Sequence, residues 1–519
     1  MKSLPIGIQT FRKMIRENHL YIDKTREILR LINSGSYLFL SRPRRFGKSL
    51  LVSALYEIFS GNRELFQGLF IYDQLDWQAY PVIHLDLSRI SYDDDLMLQQ
   101  SLSSFLTAEA QRYNIELTTE FLKDRFFELI AQLHTTTGQP VVILIDEYDK
   151  PIIDHLNNLE KAANNRAVLR EFYGVLKSAD PHLHFVFLTG VSKFSRVSIF
   201  SGLNNLQDMT LAPQCATLLG YTQAELEAYF DEYLTRFCQA HNLTRPDLLA
   251  KIREWYNGYS WNAVDRVYNP FSILNLFAHQ RFSNYWFASG TPTFLIDQIT
   301  RLQVDTTEFE GKRIPELVFD SYDLERMNVF ALMFQTGYLT ITGHEEDEGS
   351  VFTLDYPNLE VKHAFLTYLV EALTTARLDE VQIWAQELRR ALRAENFEGF
   401  MTIIRALFAK IPYPLHLPEE AYYHSLFYMI LSLMGVDIDL EVLTDKGRID
   451  GVLALEEKIY LIEFKYAKAG SKLGPLTAKA IRQMRAKQYA DRFRNDPRPR
   501  LLLGIGVAGK EIGYQLERV

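Results

Sequence analysis

Residues 37–59 read YLFLSRPRRFGKSLLVSALYEIF. An apolar run of strand length meets a short basic loop ending Gly47-Lys48-Ser49, and a segment with helical spacing follows at once. Strand, tight loop and helix N-terminus in direct succession are what a triphosphate needs. Backbone N–H groups surround the phosphates, a lysine reaches the terminal ones, and a hydroxyl ligates Mg²⁺. On this reading Arg44, Arg45, Phe46 and Gly47 form the nucleotide-binding loop, Lys48 supplies the charge and Ser49 the metal contact. The generic pattern has glycine five residues before Gly47; here that position is Arg42.

Downstream, VVILIDEYDKP (141–151) is an apolar strand that presents Asp146 and Glu147 at its end. Such a pair suits the second half of a nucleotide site, the first acid holding Mg²⁺ and the second orienting or deprotonating the attacking water. A further strand, HFVFLTGVSKFSR, ends in Thr189, Ser192 and Lys193, with Arg196 beyond. Thr189 is expected to sense the γ-phosphate, and Arg196 is one of many candidates for a charge supplied in trans.

SYLFLS, PVIHLDLS, VVILIDEY and HFVFLTGV alternate with helical patterns such as FLKDRFFELIAQL, which predicts a parallel sheet covered by helices. From about Pro213 the pattern turns helical, as a lid would. Around 323–363 a helical stretch, GYLTIT, the acidic loop GHEEDEGS and VFTLDY suggest a winged-helix-like module. Acids at its tip would repel phosphate, so internal packing is the expected role. Residues 364–410 read as helical, and Pro412, Pro414 and Pro418 mark a boundary.

The last hundred residues carry a second constellation. IDGVLAL and IYLIEFKY read as two strands of a hairpin, with Asp450 at the start of the first and Glu463 and Lys465 two apart, hence on one face, in the second. Two carboxylates suit Mg²⁺ or Mn²⁺, and Lys465 would position a water or stabilise charge on an attacked phosphate. From Lys465 to Arg500 there are eleven Lys or Arg against two acids. Beside such a centre, that excess reads as a surface for a nucleic-acid backbone. A lone His424 on an apolar helix reads as structural, and Glu441 as a further outer carboxylate.

The whole chain, 519 residues with a formal charge of −9 and 47% hydrophobic residues, bounds the rest. Its length implies three or four domains. No apolar run approaches the ~20 residues of a membrane span, and the start has no signal-peptide core. Cys215 and Cys238 allow at most one disulfide and no zinc cluster. A cytoplasmic protein is expected, with no membrane partner.

LPIGIQTF, YIDKT, SRPRRFGKSL, IDEYDKP, TGVSKFSRVSIFSGLNNLQD, WYNGYSW and VYNPFSILN fall in order along the chain. Together with the C-terminal Asp and Glu-X-Lys, they resemble the bacterial AAA-ATPase-like family that carries a C-terminal PD-(D/E)XK nuclease. Arg42 in place of glycine belongs to that family's pattern. The resemblance implies ATP as ligand, Gln483 as a helper of the water or phosphate, and Glu420 (with Glu419 adjacent) as an early metal-binding acid. The implied fold is α/β: a P-loop ATPase domain (1–212), a helical lid (213–322), a winged-helix-like and helical region (323–410) and a nuclease-like domain (411–519). Nucleic acid is the expected partner, DNA before RNA, and a homo-oligomer is compatible with the family. The rival is a nucleotide-dependent switch or scaffold that binds without cutting.

Overall fold

The computed structural model describes the chain except residues 193–204, 287–292, 303, 305, 320–327, 348, 375, 411–419, 434–436, 445–446, 456, 469 and 510. It forms two compact units, Met1–Leu295 with Gly311–Val361, and Ile296–Glu310 with Lys362–Val519.

The first unit is built on strands β1 (Tyr37–Ser41), β2 (Val82–Asp86), β3 (Val141–Asp146), β4 (Leu183–Gly190) and β5 (Gln207–Asp208), all paired in parallel in the order β2-β3-β4-β1-β5. β1 and β3 are buried at every position, as expected of strands covered on both faces. The four predicted apolar runs are thus β1 to β4, and because all run the same way their C-terminal ends share one edge. In open parallel sheets that edge carries the ligand crevice. Register sets Asp86 beside Asp146, and Leu40 beside Thr189.

The region after Pro213 is helical as expected: Gln223–Tyr229, Asp231–His241, Arg245–Tyr256 and Pro270–His279. Their apolar faces close over Leu226, Phe230, Leu234, Phe237, Ile252 and Phe277, joined by Leu20 and Ile22 from the N-terminal segment. Lys24 ties that segment to the helices, its ammonium 2.7 Å from Glu225 and 2.8 Å from the Thr217 carbonyl. After the short antiparallel pair β6 (Asn257–Tyr259) and β7 (Val267–Tyr268), the helix Val329–Thr336 and the hairpin β9 (Thr340–Glu345) and β10 (Val351–Asp355) follow, with β8 (Lys312–Pro315) completing a three-stranded sheet. The module packs inward: the Thr340 hydroxyl accepts from Ser260 N at 2.7 Å, and Tyr338 meets Trp286 edge-on at 5.3 Å.

The expected region 323–410 is divided between the units. The hairpin lies in the first, whereas the helices Leu378–Arg393 and Phe397–Ala409 lie in the second. Phe397 there packs on Tyr460 and Tyr514. The prolines of the expected boundary lie outside the described residues. The second unit holds a mixed sheet in the order β11 (Asp437–Thr444), β12 (Gly447–Ala454), β13 (Ile459–Ala467), β14 (Arg500–Ala508), β15 (Glu511–Arg518). Only β13 and β14 are parallel. The helix Leu473–Ala486 crosses between those two strands and lies directly on β14: a Cβ on Gly504 would come 2.8 Å from the Thr477 carbonyl. No described helix is long and apolar enough to cross a membrane, and both cysteines are free.

Candidate functional site

The nucleotide-like site grows from the end of β1. Gly47, at φ +91°, is the N-cap of the helix Lys48–Phe59, so the loop turns through a left-handed conformation that glycine adopts without strain. Arg45 is also left-handed. Arg44 and Arg45 are exposed, and the Arg45 guanidinium lies 4.9 Å above the Phe271 ring. Phe46 is buried, its ring against Tyr259 and Trp261.

Lys48 is buried, and its ammonium donates to the carbonyls of Arg42 at 2.9 Å and Pro43 at 3.0 Å. Burial lowers its pKa, opposed by the charges of Asp146, Glu147 and Asp149. Those carboxylates are raised, in each case by burial first. Ser49 opposes the rise of the Asp146 carboxyl, so the two expected metal-contacting groups are neighbours. Glu147 sits at φ +52°, with its N–H on the Asp146 carboxylate at 3.0 Å. A left-handed glutamate costs about 1–3 kcal/mol and persists only where its surroundings hold it, which is common at functional sites.

Gly47, Lys48, Ser49 and Glu147 line a cavity of about 360 Å³. Asp149 and Lys150 line it too, and Pro5, Ile8, Tyr221, Phe271 and Leu274 give it an apolar wall. Sequence reasoning left this wall unassigned, although LPIGIQTF and VYNPFSILN both stood out as motifs. It also missed Asp149, which is buried and accepts from Val191 N, Ser192 N and the Ser192 hydroxyl, the last at 2.6 Å. Asp149 thereby fixes the end of β4 against the acidic turn after β3.

Thr189 does not reach the cavity. It is fully buried and its hydroxyl donates to the Leu40 carbonyl at 2.7 Å, holding β4 to β1. Lys193 and Arg196 lie outside the described residues. Arg42 is also no phosphate ligand in this arrangement: it is 1% exposed and donates to the carbonyls of Ser41, Thr210 and Cys215. Trp261 packs on it, Tyr256 is buried with its hydroxyl on the Ser283 carbonyl, and Trp255 packs on the helical core. Trp255, Tyr256 and Trp261 are thus all engaged in packing.

In the second unit, pairing of Gly451 with Ile462 brings Asp450 opposite Glu463. Asp450 accepts from Phe464 N at 2.8 Å. Glu463 is 1% exposed; its Oε1 accepts from Lys465 Nζ at 2.7 Å and from the Gln483 amide, while its Oε2 has no hydrogen-bond partner. Burial first, and then the charge of Asp450, push the Glu463 carboxyl up to about 7. An orphaned buried carboxylate oxygen beside a second acid is what a divalent cation would relieve, so the residues fit Mg²⁺ or Mn²⁺. No group of three ligating side chains forms among the described residues. The helix Glu420–Leu433 begins at Glu420, but the side chains of Glu420, His424 and Glu441 lie outside what is described, as does Glu419.

Two folds thus stand in one chain, a parallel-sheet domain with a phosphate-loop geometry and a mixed-sheet domain with a nuclease-like acidic centre. Family comparison matches residues 5–200 to a predicted AAA-ATPase and residues 418–516 to the PD-(D/E)XK nuclease superfamily. A relative in Azotobacter chroococcum mcd 1, described as an uncharacterized protein in the vnfD 5′ region, is 41% identical over 517 residues, spanning 97% of this chain and 96% of its own. No solved structure matches. The chain belongs to the family of predicted AAA-ATPases with a C-terminal PD-(D/E)XK nuclease domain.

Proposed function

We propose that the protein binds and hydrolyses ATP and that its nucleotide state controls a Mg²⁺-dependent nuclease acting on DNA. Lys48 would leave the loop carbonyls for the β- and γ-phosphates, Ser49 and Asp146 would hold Mg²⁺, and Glu147 would take the proton of the attacking water. Pro5, Ile8, Tyr221, Phe271 and Leu274 would receive the base. In the nuclease centre, Asp450 and Glu463 would hold Mg²⁺, with Glu420 the expected third acid. A bound divalent cation would polarise the phosphate and ease loss of a proton from water. Lys465 and Gln483 would orient that water as its oxygen bonds to phosphorus, the P–O bond to the leaving nucleoside breaks, and the leaving oxygen takes a proton.

The observation that carries the cleaving half is the partnerless Glu463 Oε2, buried beside Asp450 and Lys465. The eleven Lys and Arg between Lys465 and Arg500 also suit a second reading, in which the C-terminal domain binds nucleic acid without cutting and the ATPase domain acts as a switch. Incubation of the full-length protein with labelled DNAs and RNAs, with Mg²⁺ or Mn²⁺ and with or without ATP, separates them. Cleavage that depends on metal and changes with ATP supports the first reading; binding with no cleavage under every condition sinks it. Sedimentation with and without ATP tests the homo-oligomer.

A further inference from the structure

We propose that Lys487 is a further substrate-contacting residue of the nuclease centre, its ammonium holding a non-bridging oxygen of a DNA phosphate next to Glu463. This rests on the reading of Asp450, Glu463 and Lys465 as a phosphodiesterase centre.

The placement follows from the helix Leu473–Ala486. Gln483, near its end, reaches Glu463 with its side-chain amide. Lys487 is one turn on, its N–H donating to the Gln483 carbonyl at 2.9 Å, and residues four apart on a helix share a face. The helix is held close against the sheet by the glycines of β14, so that face is directed at β13. In keeping with this, the charge of Lys487 acts on the Glu463 carboxyl alongside that of Lys465.

The second observation is which cations are already engaged. Lys465 spends its ammonium on Glu463 Oε1 at 2.7 Å and on the Phe464 carbonyl at 2.8 Å, and its side chain is only 16% exposed. Of three possible donors it keeps one. Arg485 pairs with Glu517, Arg494 with Asp491 and Arg498 with Asp496. Lys487 is half-buried next to the acidic centre, and no described carboxylate pairs with it. A cation kept beside two carboxylates without an ion pair of its own is suited to the anion those carboxylates would otherwise repel. A lysine at a helix C-terminus is also favoured by the helix dipole, but that role needs no substrate and predicts no effect on cleavage.

The test uses full-length Lys487→Ala and Lys487→Arg with a fluorescent DNA duplex, binding read in Ca²⁺ and single-turnover cleavage in Mg²⁺ or Mn²⁺. Lys487→Ala should cut about tenfold more slowly or worse at saturating DNA, the scale of one charge-assisted phosphate contact. Its log-affinity should depend less on log salt, the slope falling by about one. Lys487→Arg should recover most of both, and both variants should melt like the wild type. A wild-type rate together with an unchanged salt slope in Lys487→Ala overturns the proposal and leaves the nuclease reading intact. If the wild type cuts no duplex, a reduced slope still supports the phosphate contact while the cleavage reading falls; an unchanged slope overturns the contact as well.

Discussion

The guanidinium of Arg42 lies over the indole of Trp261, 3.9 Å from the ring centroid. Arg42 occupies the position where a generic phosphate loop has glycine, and the structure explains the exchange. Three backbone carbonyls and an aromatic face hold the cation, although burial lowers its pKa to about 10. Arg42 thereby ties the loop to the Thr210–Cys215 segment and to Trp261. Reverting it to the generic residue, Arg42→Gly, should lower stability by on the order of 3 kcal/mol, because buried carbonyls lose their donors. ATP affinity should fall, and Arg42→Lys should be intermediate. Denaturant titration and calorimetry check this; tighter ATP binding in Arg42→Gly would show that the arginine obstructs the loop.

The neighbouring lysine gives the more direct test of nucleotide binding. Lys48→Ala removes the charge expected on the β- and γ-phosphates and should weaken ATP binding at least a hundredfold, a loss of ~3 kcal/mol. Glu147→Gln should bind ATP like the wild type yet hydrolyse it at least a hundredfold more slowly, since only the proton acceptor changes. Equal ATP affinity in Lys48→Ala, measured by calorimetry, would remove the nucleotide assignment from this cavity.

How much of this was legible in the sequence depends on the range of the interaction. β1 to β4 could be read because each is an apolar run with a turn signal beside it, and the sites at their ends are local in sequence. Asp450, Glu463 and Lys465 were legible for the same reason: a two-residue period and one tight hairpin fix their meeting. The apolar wall of the cavity was not, since Ile8 and Phe271 are brought to one cavity by tertiary packing that no period encodes. The burial of Thr189 was not legible either, because a polar residue at a strand end looks free until its neighbour in the sheet is known; here that neighbour is Leu40. Division of the region 323–410 between two units was likewise invisible, because a run of helices carries no signal of which sheet each will cover.

Glu360 was missed altogether, and it gives a pH prediction. It is fully buried, accepts from the Ser272 hydroxyl and Trp286 N at 2.7 Å each, and burial raises its carboxyl to about 7. Trp286 in turn donates from its indole to the Arg44 carbonyl at 3.1 Å. A carboxyl raised above its unfolded value binds its proton more tightly when folded, so its contribution is fully present below the unfolded pKa and is lost as pH rises through about 7. Glu360→Gln, neutral at every pH, should therefore melt later than the wild type above pH 7, by up to about 3 kcal/mol. Near pH 5 the difference should shrink. An equal difference at both pH values would mean that Glu360 does not titrate in this window.

The nuclease centre offers the same sign with a cation added. Without metal, Glu463 is raised to about 7 by burial and by Asp450, so metal-free wild type should lose stability as pH rises through that value. Glu463→Ala and Asp450→Ala should fold; Glu463→Ala should remove that dependence, whereas Asp450→Ala should only weaken it, because the repulsion is gone but Glu463 stays buried. Mn²⁺ should stabilise the wild type above pH 7, fail to do so well below it where Glu463 keeps its proton, and stabilise neither alanine variant. Both variants should lose nucleic-acid cleavage, whereas Lys465→Ala should lose cleavage and keep most of the Mn²⁺ shift. DNA affinity should change little in all three, because Lys468, Lys472, Lys479 and Arg482 lie outside the acidic pair and would carry the proposed backbone contact. Thermal melts across pH with and without Mn²⁺, run beside cleavage assays, check each part. A full Mn²⁺ shift in Glu463→Ala would place the cation elsewhere and with it the chemistry.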